Sequence, residues 1–141
     1  MAEQLPVPDD PTIEPDDLVY RRVRDGGNIN VVLNADGERV ASSAAFEDDA
    51  DGISVFLRST LVSAGLGPGD VIDGFAGYVV ATLLVKTVRD LGVGVHRDPN
   101  PAVARPMPCD VAHCLLKVPQ LSRTQNHKLR QRIAAAAVLV E

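Results

Sequence analysis

The chain has 141 residues, 19 acidic and 14 basic side chains, a net charge of -5 and an apolar content of 45%. This excludes a disordered chain, because so much Val and Ala at this length can bury a core without staples. The acidic balance excludes a uniformly basic nucleic-acid binder, and apolar stretches such as residues 78–85 are too short to cross a bilayer.

Residues 1–17 hold six acids, four prolines (Pro6, Pro8, Pro11 and Pro15) and no Lys or Arg. Proline lacks a backbone donor and neighbouring acids repel one another, so residues 1–16 are expected to form an extended, disordered tail. The stretch lacks the basic start and apolar run of a secretory signal, which makes the cytoplasm the expected location. Residues 18–23 are β-branched and aromatic and read as a strand. Asp25-Gly26-Gly27 turns the chain. Residues 28–33 and 38–42 read as a hairpin around Asn34-Ala35-Asp36-Gly37. Phe46 is expected to enter the core, ahead of a polar loop over 47–52 and a short strand over 53–57.

Residues 59–64 fit a strand or a helix, and Gly65, Gly67, Pro68 and Gly69 break them. Pro68 opens a short helix that ends near Gly74. Residues 78–85 read as the most buried strand, 86–91 as one or two helical turns and 93–96 as a short or edge strand. Pro99, Pro101, Pro106 and Pro108 make a loop of residues 97–108, and 111–118 read as a further strand. Ser122-Arg123-Thr124-Gln125 is a capping box, in which each side chain satisfies an orphan amide at the other end. Leu129, Ile133, Ala136 and Ala137 continue it as a narrow apolar stripe. The expectation is one α+β domain over 17–141. It would have a mixed or antiparallel sheet of about six strands, two or three helices, and the C-terminal helix packed on the sheet.

Charge is polarised along the chain. Residues 25–73 hold nine acids against Arg39 and Arg58, whereas 74–141 hold nine basic residues and four acids. No acid lies between 115 and 140. The two halves could simply attract each other, or the basic end could face phosphate or an acidic partner. Arg123, Lys128, Arg130 and Arg132 are the phosphate candidates. No aromatic residue accompanies them to stack on bases, so nucleic acid is the less favoured partner. Arg outnumbers Lys 11 to 3, a bias that fits a GC-rich bacterial or phage genome.

The chemistry-bearing residues are few. His96, Cys109, His113 and Cys114 offer zinc-type donors, but adjacent residues of a strand point to opposite faces, so no metal and no other cofactor is expected. The two cysteines are expected to be reduced. His113 is the candidate general base, with Asp98 or Asp110 to orient it. Ser42, Ser43 and Cys109 are the candidate nucleophiles, although no glycine-flanked elbow surrounds the serines. Gly65-Leu66-Gly67-Pro68-Gly69 leads into Asp70, which repels phosphate, and so reads as a loop rather than a nucleotide cradle.

Asp17 to Val23, Ser42 to Phe46, Ile53-Ser54-Val55, Asp98-Pro99-Asn100-Pro101 and Ala112-His113 together resemble a group of small uncharacterised bacterial proteins with no established activity. Tyr20-Arg21 followed by Ser42-Ser43 and Phe46 is also similar to the ADP-ribosyltransferase superfamily, including the RES-type toxins that act on NAD. That resemblance implies Arg21 on the dinucleotide phosphates and Ser42 or Ser43 on the nicotinamide ribose. A later catalytic Glu on a strand has no counterpart here. The leading expectation is therefore a small accessory or interaction module that binds a protein partner or a second copy of itself. The alternative is an enzyme that processes NAD or another nucleotide, using Arg21 and Ser43 with His96 or His113.

Overall fold

The structure, a computed structural model, describes residues 7–47, 52–99 and 106–140. Its centre is a six-stranded sheet formed by β1 (Leu18–Arg24), β4 (Ile53–Leu57), β5 (Tyr78–Leu84), β6 (Gly94–Arg97), β7 (His113–Lys117) and β8 (Val138–Val140). The strand order is β6-β7-β4-β1-β5-β8, and every neighbouring pair is antiparallel. A separate hairpin pairs β2 (Val31–Leu33) with β3 (Arg39–Ala41). Its turn is closed by Asn34, whose side chain accepts the amides of Asp36 and Glu38, and by Gly37 at φ +77°. The α+β architecture and the antiparallel sheet match the expectation from sequence.

Strand alternation divides the sheet into two buried faces. Val19, Val23, Val55, Leu57, Ala81, Leu83, Cys114 and Leu116 point to one side. The longest helix, α4 (Arg123–Ala136), covers that side through Leu129, Ile133 and Ala134, together with Phe46 and the hairpin residues Val31 and Ala41. Burying Leu129 and Ile133 stabilises the docked helix by roughly 1.5–3 kcal/mol each. Ser122 and Gln125 form the anticipated capping box, with the Ser122 hydroxyl accepting the Gln125 amide at 3.2 Å. On the other side, Tyr20, Phe56 and Val80 meet Leu61 of α1 (Arg58–Ser63), Val71 of α2 (Pro68–Val71) and the 3-10 turn Pro108–Ala112. The short helix α3 (Val85–Asp90) packs Val85 and Val88 into the first core.

Several elements differ from the sequence reading. Four helices are present among the described residues, rather than two or three. The undecided stretch 59–64 is helical, because Gly65 at φ +76° supplies a left-handed stop directly after it. Residues 111 and 112 belong to the 3-10 turn, and the strand begins at His113. Helix α4 stops at Ala136, and the extended Ala137 releases Val138–Val140 to pair with β5.

The largest difference concerns the N-terminus. Residues 1–6 lie outside the described residues, but residues 7–17 are a strap rather than a free tail. Ile13 is 1% exposed within the main core. The Asp10 amide donates to the Val95 carbonyl at 2.8 Å, and the Val95 amide donates to an Asp9 carboxylate oxygen at 2.9 Å. The strap thereby satisfies outward-facing backbone of edge strand β6. Asp9 also meets Arg89 at 3.1 Å and Asp10 meets Arg97 at 3.0 Å. Two of the acids that suggested repulsion, Asp9 and Asp10, are paired with basic residues from the second half of the chain.

Candidate functional site

The residues picked out from sequence do not converge. Arg21 lies on the α4 side of the sheet. Its Nε donates to the Ala45 carbonyl at 2.6 Å, and its terminal nitrogens donate to the Ser54 carbonyl at 2.8 Å and the Glu47 carbonyl at 3.3 Å. Its guanidinium clamps the segment after the 3-10 turn Ser43–Phe46 onto β1 and β4. Ser43 opens that turn, and the Ser42 hydroxyl donates to the Ile29 carbonyl. Arg21 and the serine segment are therefore neighbours, joined by structural hydrogen bonds.

His113 lies on the opposite face. It pairs with Phe56 across β7 and β4 and stacks edge-on against that ring at 5.5 Å. Its Nδ1 is 3.0 Å from the Asp98 carbonyl oxygen and 3.2 Å from an Asp98 carboxylate oxygen. Asp98 does orient it, as the sequence suggested. No hydroxyl or thiol among the described residues is hydrogen-bonded to the ring, which leaves it without a nucleophile to activate. His96, two strand positions away on the same face, is exposed and opposite Leu115. The sheet thus stands between Arg21 with Ser43 and His96 with His113.

The cysteines are both free and buried. Cys114 faces the main core and Cys109, in the 3-10 turn, the second one, while strand alternation puts the adjacent His113 and Cys114 on opposite faces. Burial pushes the Cys109 thiol up, and it pushes Cys114 up to about 12. Neutral thiols are poor nucleophiles and poor metal ligands. Among the described residues no group of three or more His, Cys, Asp or Glu side chains is placed to hold a metal ion. Arg22, beside Cys109, is sandwiched between Phe56 and Phe75 at 4.7 and 4.2 Å, with Nε on the Val71 carbonyl. This cation staples α2 to the sheet.

The four basic residues of α4 also separate. Arg130 is half-buried, 3.8 Å from Glu47 on the flank that faces the 3-10 turn Ser43–Phe46. Arg123 is exposed at the start of the helix. Lys128 and Arg132, one turn apart, line a groove on the other flank.

That groove has a volume of about 730 Å³. Its floor is apolar: Leu91 and Val93 from the turn between α3 and β6, Pro119 and Leu121 from the segment before α4, and Leu129 of α4. Val7 and Asp9 of the strap make one wall. Arg89, Lys128 and Arg132 make a basic rim, with Gln125 at the mouth. Arg89 is held by Asp9 and by the Asp10 carbonyl. Lys128 and Arg132 have no ion-pair partner among the described residues.

The acid-free stretch 115–140 signalled the basic rim in the sequence, but the floor was hidden. Leu91 and Val93 come from one turn and Leu121 from the segment before α4, and only the fold brings them beside Leu129. No helix among the described residues is long and apolar enough to cross a membrane. No family model, curated protein or solved structure matches the chain.

Proposed function

We propose that the protein is a small interaction module that binds a protein partner through the groove between α4, the strap and the α3–β6 turn. One observation carries the reading: an open, apolar-floored groove rimmed by Lys128 and Arg132, two cations with no ion-pair partner among the described residues. Exposed apolar surface of this kind, bordered by polar groups, is the usual mark of a recognition site. Catalysis finds less support. The NAD-processing alternative requires Arg21, Ser43 and a histidine around one ligand, and the sheet lies between them.

The test is selection of peptides from a random displayed library on the immobilised protein, followed by rebinding to a Gln125→Trp variant. Gln125 is exposed at the mouth, so the indole enters the groove rather than the core. Because the change also removes the capping acceptor of the Ser122 amide, the variant's thermal unfolding midpoint is measured alongside, and binding is compared on the folded protein. Peptides that lose binding to this variant support the reading. Peptides that bind it as well as they bind the unaltered chain overturn it.

A further inference from the structure

We infer that the groove recognises an extended acidic segment, in which an apolar side chain enters the floor and flanking carboxylates meet Lys128 and Arg132. The inference rests on the groove being the binding site and adds the chemistry of what fills it. Charge complementarity is the first argument. Among the described residues Asp9 is the one acid lining the groove, and its carboxylate is already engaged by Arg89 and by the Val95 amide. An occupant without acids would leave two cations at the rim unmatched, whereas a basic one would be repelled.

The strap supplies the second argument. It is a proline-rich, acidic segment whose Val7 and Asp9 already form one wall of this groove. Asp9 shows what the surface does with such a segment: one carboxylate takes a guanidinium and a backbone amide together. Lys128 and Arg132 present the remaining cations across the groove, in line for a second segment of the same character. The two residues are one turn apart on a capped helix, so they are held in register rather than on a loop.

The experiment uses the selected peptides from the full chain, read by composition and sorted on two variants, Gln125→Trp and the charge reversal Lys128→Glu/Arg132→Glu. The neutral pair Lys128→Gln/Arg132→Gln stands in if the reversal lowers the thermal unfolding midpoint. The expected result is peptides rich in Asp and Glu around an apolar residue, with at least about tenfold weaker binding to both variants and clear weakening in high salt. Peptides lost on Gln125→Trp but retained on the charge variants, or devoid of acids, overturn the acidic occupant and leave the groove as the site. Peptides retained on both variants overturn the groove and the inference together.

Discussion

The carbonyl oxygen of Pro8 occupies the space that a β-carbon on Gly94 would fill. Gly94 is the first residue of β6, and its missing side chain lets the strap approach the edge of the sheet closely enough for Asp10 and Val95 to bond. The obstructing atom is backbone, so it cannot rotate away. Gly94→Ala is expected to displace the strap and to cost about 1–3 kcal/mol, the range for overpacking a tight contact. Thermal unfolding reads the cost, and faster exchange of the Val95 amide reads the displacement. Gly69→Ala, where a β-carbon meets nothing within 4 Å, is the control and should leave both unchanged or slightly improved.

Removal of residues 1–16 is expected to destabilise the protein rather than to trim a tail. Ile13 alone lies in the main core, and Ile13→Ala should cost about 2–5 kcal/mol in chemical denaturation. An unchanged midpoint after truncation would show that the strap is ornamental.

The strap explains what the sequence concealed. Its acids and prolines match the composition of a disordered segment, and a single isoleucine among them gives no periodicity. Only the partners, Arg89, Arg97 and the β6 edge, turn those acids into anchors, and they lie some eighty residues further along the chain. Local signals were legible where local physics decides: the capping box at Ser122, the hairpin turn at Asn34 to Gly37, and the alternation in β1. The end of α4 was illegible because pairing of Val138–Val140 with β5 outweighs the helical preference of the alanines before it.

Acid should loosen the strap. Thr12 donates its hydroxyl and its amide to Asp10, with a smaller contribution from Arg97, and these hold the Asp10 carboxyl below its ordinary 3.8. A carboxyl lowered on folding contributes stability that is complete above 3.8 and is lost as pH falls through its folded value. Asp10→Asn should therefore flatten the acid limb of a stability-against-pH curve while leaving its alkaline limb in place.

Both buried thiols contribute to the alkaline limb, Cys114 with the larger shift. Burial raises the Cys114 thiol from 9.0 to about 12, so its contribution is complete below 9.0 and is lost as pH rises toward 12. At pH 8 neither cysteine of the native chain should react with iodoacetamide within an hour, and both should react once the chain is unfolded. Intact mass spectrometry reads the outcome.

Arg21 separates a structural role from a catalytic one. Arg21→Ala leaves the carbonyls of Ala45 and Ser54 without their charged donor, so a loss of about 1.5–3 kcal/mol is expected in denaturant unfolding. Incubation with NAD should release no nicotinamide from either chain. Release by the unaltered protein that Arg21→Ala abolishes at full folding would restore the enzymatic reading.

The groove is open to a direct measurement. Amide shifts of nitrogen-15-labelled protein, followed as a selected acidic peptide is added, locate the bound segment directly. The largest changes are expected over Leu91 to Gly94 and along Leu121 to Arg132, with the opposite face around His96, Cys109 and His113 unmoved. Changes centred on His113 and Cys109, with the α4 groove silent, would contradict the groove as the binding site.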